Sequence, residues 1–168
     1  MNEPRKPILN LDEVSFEPWG HGERYAAQLG RIGPKIGAKK LGYNLTVLPP
    51  GKRAFPAHNH HVNEEMFYVI EGSGSLRVGT REYPIRAGDV IACPPGGQDS
   101  AHQIVNTSAD EELRYLSVST MMYPEFVEYP NSKKFGVRVE LGPNAQGETQ
   151  WFRFLGRSEQ CLEYWDGE

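Results

Sequence analysis

His58 and His60, two apart in Ala57-His58-Asn59-His60-His61, are the residues whose types and spacing most directly suggest chemistry. In a β-strand residues i and i+2 share a face, about 6.6 to 6.8 Å apart along it, so two such imidazoles can converge on one ion. On a helix they would point roughly 200° apart, at about 100° per residue, so this is not the H-E-x-x-H zinc-helix pattern. His61 alternates outward and is a poor ligand. Such a pair needs a carboxylate nearby, and Glu64 and Glu65 compete for that role. Alternation along Glu65-Met66-Phe67-Tyr68-Val69 puts Glu65 on one face with Phe67 and Val69, a plausible interior pair, while Glu64 faces out or lies in the turn. A lone buried carboxylate is costly, and a bound cation removes that cost. His102 follows a proline-glycine turn and shares a face with Ile104 and Asn106.

These side chains need strands to hold them, and the sequence supplies a series of short ones. Leu41 to Leu48 is β-prone and ends at Pro49-Pro50-Gly51. Met66 to Ile70 is rich in aromatic and β-branched residues and stops at Glu71-Gly72. Ser75 to Val78 and Arg81 to Ile85 flank Gly79-Thr80, a tight hairpin turn. Asp89 to Ala92, His102 to Val105 and Leu113 to Thr120 complete the set. Strands at this spacing, cut by glycine and proline, predict an all-β barrel or sandwich. Residues 1–38 read as an N-terminal arm with one or two short elements, Tyr25 to Leu29 being too short to assign as a helix. Residues 39–122 read as the barrel core. Residues 123–168 read as a C-terminal extension with strand candidates at Val137 to Leu141 and Trp151 to Leu155. Trp151, Phe152, Phe154, Tyr164 and Trp165 pack this extension onto the barrel or onto a second subunit.

The two histidine-bearing segments resemble the paired motifs of the cupin superfamily. The first motif, G(x)5HxH(x)3–4E(x)6G, is carried by Gly51, His58, His60, Glu65 and Gly72. The second, G(x)5PxG(x)2H(x)3N, is carried by Gly88, Pro94, Gly96, His102 and Asn106. Gly51 lies one residue further from His58 than the pattern asks, and the loop from Gly96 to His102 is three residues longer. Both departures fall in loops, where insertions are tolerated. The resemblance covers residues 40–120 and implies a double-stranded β-helix (jelly-roll) barrel with one divalent metal on His58, His60, Glu65 and His102. Three imidazoles and a carboxylate suit Fe, Mn, Ni, Co, Cu or Zn. Four ligands leave two positions of a six-coordinate ion open, and a charge near +1 favours an anionic oxygen ligand. The ion could act as Lewis acid, as template, or as generator of a bound hydroxide.

The expected function is a metalloenzyme acting on a small oxygenated or anionic metabolite, as a dioxygenase or a sugar-phosphate isomerase or epimerase. The alternative is a non-catalytic cupin that binds a sugar or organic acid. Tyr43, Phe67, Gln103 and Tyr115 lie on strands that could line the pocket, and no separate nucleophile or acid–base pair stands out. His21 reads as a solvated loop residue, or else a substrate contact delivered by a folded-over arm. Cys93 reads as a small buried apolar residue.

Bulk properties bound the partners. The 168 residues suffice for one domain with a real core. A net charge of −4 argues against a nucleic-acid face. No apolar run approaches the roughly 20 residues that span a bilayer, and Met1 to Val14 lacks the apolar stretch of a secretory signal. The two cysteines have no short spacing, so a reducing cytosol is the simplest setting. The expected partners are a small-molecule ligand and a second copy of the chain, in a homodimer formed through barrel edges.

Overall fold

The computed structural model describes residues 5–168. It is all-β. Its strands in chain order are β1 (Glu17–His21), β2 (Tyr25–Arg31), β3 (Leu41–Leu48), β4 (Asn59–His60), β5 (Glu65–Glu71), β6 (Ser73–Val78), β7 (Arg81–Arg86), β8 (Val90–Cys93), β9 (His102–Val105), β10 (Leu113–Thr120), β11 (Glu125–Tyr129), β12 (Lys134–Pro143) and β13 (Thr149–Gly156). One short helix, α1 (Gly33–Ile36), joins β2 to β3. No helix among the described residues is long and apolar enough to cross a membrane.

The strands form three hydrogen-bonded sheets: β1-β2-β3-β10-β5-β8, β13-β12-β11-β4 and β7-β6-β9. None of the three closes on itself through its own hydrogen bonds. β10 is central in the largest, paired antiparallel with β3 on one side and β5 on the other. Alternation decides which side chains it buries: Leu113 and Tyr115 point into the principal core with Leu48, Phe67, Val69 and Ile104. Residues 17–31 are more than an arm. β1 and β2 form a hairpin that extends the largest sheet, and Tyr25 to Leu29 is strand. Val14, Ile32 and Leu45 make a second, smaller apolar cluster with partly buried neighbours from the N-terminal segment.

Two turns show why particular residues are required. At Gly72 φ is +81°, and a Cβ there would lie 2.1 Å from the Glu112 carbonyl oxygen, so only glycine passes. At Gly79, the first of the two residues between β6 and β7, φ is +56°, as a two-residue type II′ hairpin demands. Asn106 is a structural staple. It is fully buried, and its amide donates to the carbonyls of Leu48 (2.9 Å) and Glu111 (2.8 Å), fixing the turn into β10. In the C-terminal region β12 and β13 form a long hairpin. Asn144 closes its turn by accepting from the backbone N–H of Gln146 (3.0 Å) and Glu148 (2.8 Å).

Candidate metal centre

Backbone pairing delivers the histidines. His58 and His102 exchange two backbone hydrogen bonds, His58 N–H to His102 O at 3.2 Å and His102 N–H to His58 O at 2.8 Å. The register that puts their rings side by side, with centroids 4.8 Å apart, is therefore fixed by the main chain. The three extra residues before His102 are absorbed in a 3-10 turn, Gln98–Ser100, so the histidine returns to register. The same loop pins β4: Gly96 N–H donates to the His60 carbonyl at 2.8 Å, and the Asn59 amide donates back to the Gly96 carbonyl at 2.9 Å. β5 brings Glu65 in from the opposite sheet, where it pairs with Cys93 of β8.

Three imidazole nitrogens converge on one carboxylate oxygen. Nε2 of His102 lies 2.9 Å from Glu65 Oε2, Nε2 of His60 3.4 Å and Nε2 of His58 3.6 Å. Ligand atoms of His58, His60 and Glu65 all fall within 4.8 Å of one another. His102 joins that trio through Glu65. Nδ1 of His58 sits 2.9 Å from the Pro56 carbonyl, which can only accept, so that nitrogen holds the proton and Nε2 keeps its lone pair toward the centre. His60 gives the test of fit. Among the described residues neither of its buried ring nitrogens has a hydrogen-bond partner. A buried polar atom left unpaired is expensive, and a cation among the three Nε2 atoms would satisfy it. The donor set, imidazoles with one carboxylate, suits a divalent transition metal.

The electrostatics agree with that chemistry. Burial alone would push the Glu65 carboxyl up, but the surrounding His102, His58 and His60 imidazoles outweigh it and hold the group well below the usual range. Burial pulls His60 down, yet the Glu65 and Glu125 carboxylates more than offset this and raise it above the ordinary imidazole value. His102 is lowered, chiefly by burial. Cys93, beneath the site, is pushed up to about 12 by burial and by the Glu65 charge, and stays a thiol.

A second layer escaped the sequence reading. Glu125 of β11 is buried, 62 residues from the Asn63 that donates to it through both backbone and side-chain N–H. Its Oε2 lies 3.7 Å from Nδ1 of His60, where it can orient that ring in the way metal-ligating imidazoles are oriented. Asn63 Oδ1 in turn accepts from Thr120 Oγ1 (2.9 Å) and Met122 N–H (2.7 Å). The only local signal for Glu125 is its alternation with Val127 and Tyr129 along β11.

The centre opens into a cavity of about 750 Å³ that reaches from His60 and Glu65 to Arg31, Arg138 and Arg153. Tyr43 lines it. Phe67, Gln103 and Tyr115 do not. Phe67 is core, its ring 5.7 Å from His102. Tyr115 is fully buried against Phe67, and burial raises its hydroxyl above the ordinary value. The Gln103 amide is spent on the Phe55 carbonyl at 2.6 Å. Their strands alternate as read, but the inward face at those positions is filled by side chains. His21 is exposed on β1. The residue that this strand gives the cavity is Trp19, which donates from Nε1 to the Ala54 carbonyl at 3.0 Å and packs on Phe55.

The Cupin_2 family profile, described as a cupin domain, matches residues 44–119, from β3 to β10. A solved structure of a sugar phosphate isomerase from a cupin superfamily, from Silicibacter pomeroyi, superposes with a TM-score of 0.73 at 25% identity, covering 95% of this chain and 98% of that one. A provisionally named sugar phosphate isomerase from Acidithiobacillus ferrooxidans gives a TM-score of 0.71 at 27% identity, covering 88% and 92%. Cupincin from Oryza sativa subsp. japonica is 36% identical over 122 residues, 68% of this chain but 25% of cupincin, so the chain spans about a quarter of that relative's length.

Proposed function

The chain is a small cupin-domain protein, and on that premise we propose that it is a divalent-metal enzyme of the sugar-phosphate isomerase type. In this reading the three sheets are the walls of a double-stranded β-helix barrel, and His58, His60, Glu65 and His102 hold the ion. The observation that carries it is the unpaired, buried His60 among three convergent Nε2 atoms at the floor of a cavity large enough for a small metabolite. Both whole-length structural neighbours bear isomerase names, which favours isomerisation over dioxygen chemistry.

When bound, a divalent ion supplies Lewis-acid polarisation of a carbonyl or hydroxyl oxygen. The protein's own residues do the rest. Pro56 and Glu125 fix the His58 and His60 rings. Tyr129 stacks on His58 at 6.1 Å, and burial raises its hydroxyl, so it keeps its proton. Trp19 and Phe55 cover one side of the cavity. We also propose a homodimer, with Phe152 and Phe154, exposed on β13, as its apolar contact. Light scattering that returns a monomer at micromolar concentration rejects the dimer.

Elemental analysis of the purified protein beside a His60→Ala variant tests the centre, and NMR of aldose and ketose phosphates incubated with the metal-loaded protein tests the reaction. Near-stoichiometric metal lost in the variant, with interconversion of at least one pair, is the expected result. No metal in the wild type, or metal without interconversion across the panel, overturns the reading. A sugar phosphate that binds and returns unchanged would make the protein a binding module.

A further inference from the structure

The sheet that carries His60 holds a second polar cluster on its far strands. Arg138 on β12 is the direct cross-strand partner of Glu125 on one side and of Arg153 on the other. Directly opposed residues share a face, so Glu125, Arg138 and Arg153 form one row, and all three line the cavity. Two guanidinium groups facing each other repel, and arginine does not shed its proton. Among the described residues neither has a carboxylate within 4.0 Å. Glu125, nearest in register, is committed to Asn63 and Val62 and faces His60.

Arg138 is also preorganised. Its guanidinium lies 4.2 Å from the Trp151 ring centroid and 5.2 Å from that of Tyr123, and its buried Nε has no hydrogen-bond partner among the described residues. A stacked, rigid fork with an unspent donor is the geometry that grips a tetrahedral oxyanion. Arg31 adds a third cation to the cavity lining, its Nε 3.9 Å from Glu17.

We propose that Arg138 and Arg153 are a phosphate-binding subsite, holding the phosphoryl end of a substrate whose oxygenated end reaches the centre at His60 and Glu65. β12 and β13 lie two and three strand spacings from β4. That is roughly 10 and 14 Å, a gap that two long arginine side chains and a phosphorylated sugar together span. The second half of the proposal rests on the metal reading above. The anion site does not, because it stands on residues that touch none of the proposed ligands.

The test is titration of inorganic phosphate against chloride at matched ionic strength, followed by calorimetry and by tryptophan fluorescence, since Trp151 stacks on Arg138. Wild type, Arg153→Gln, Arg138→Gln and His60→Ala are compared. The expected result is phosphate binding weakened about tenfold or more in each arginine variant, one charge-assisted contact each, and unchanged within about twofold in His60→Ala. Arg153 is exposed on the edge strand, so its variant folds, and a melt checks Arg138→Gln. Phosphate binding that disappears in His60→Ala and survives in both arginine variants would place the anion on the histidine cluster and overturn the subsite while leaving the metal reading intact. Equal binding by all four proteins, or none by the wild type, also overturns it. Loss of metal and turnover with phosphate binding retained at the arginines would sink the enzyme reading alone.

Discussion

The cavity has two unlike stretches of wall. On one, His60 and Glu65 line it with His58 and His102 packed behind them, all on or beside strands whose neighbouring side chains make the principal core, and every ring is fixed by a backbone pairing or a buried partner. On the other, Arg138 and Arg153 stand on a hairpin that contributes no residue to either apolar cluster, with Phe152, Phe154 and Leu155 exposed along it. The first wall is held by burial and the second by strand register and stacking. The difference teaches that a donor set needing sub-ångström placement sits where packing is dense, while a guanidinium placed by cross-strand register and ring stacking can sit outside the core.

The contrast is most sharply broken or upheld by core truncation. Leu113→Ala, at a fully buried position, is expected to cost about 2–5 kcal/mol, whereas Leu155→Ala, on the hairpin and 60% exposed, should stay within about 0.5 kcal/mol. Guanidinium unfolding curves measure both, and similar losses would erase the distinction. Next in size is the proposed ligand, His60. His60→Ala should weaken divalent-metal affinity by roughly 100-fold or more, read by competition with a chromophoric chelator.

Acidification acts on the same wall. An ion must displace the proton on His60, whose titration is shifted up by Glu65 and Glu125. Metal affinity should therefore fall as pH drops through and below that raised value, and recover above it. Stability of the metal-free protein follows the opposite sense for this group: the share due to His60 is present at low pH and lost as pH rises through its folded value. The share due to Glu65, whose titration is depressed, is kept down to its own low folded value. Metal affinity that does not vary across this range would show that His60 is not a ligand.

Two smaller effects complete the series. Glu125→Gln should weaken metal binding about tenfold with little change in unfolding midpoint, because it orients His60 through the second layer. Iodoacetamide should modify one thiol per native chain, exposed Cys161, and reach Cys93 only after unfolding. Two fast-reacting thiols would show that the wall beneath the centre opens.

Much of the first wall was legible in the sequence. Leu41–Leu48, His102–Val105 and Leu113–Thr120 are strands with the bounds that glycine, proline and β-branching indicated. The alternation that placed Glu65 inward and Glu64 outward matches the structure, because a period of two leaves no other choice for a half-buried strand. The strands of the second wall were legible, at Val137 to Leu141 and Trp151 to Leu155, but its polar cluster was not. Glu125 depends on an asparagine 62 residues earlier, and Arg138 acquires meaning only from being opposite Arg153. Pairings of that length leave no local periodicity. A net charge of −4 also conceals a cavity lining with three arginines. Tyr25 to Leu29 was too short to assign locally, and the strand state of Tyr25–Arg31 comes from pairing with β1 and β3.

The β12–β13 hairpin closes its own turn with Asn144 and leaves both apolar clusters untouched. That independence has an evolutionary reading. Substitutions in the hairpin are expected to cost the rest of the fold little, so what the pocket grips can change while the histidine wall stays as it is. The hairpin is thus the part of this protein through which divergence among descendants should first be visible, as drift at positions 138 and 153 beside constancy at 58, 60, 65 and 102.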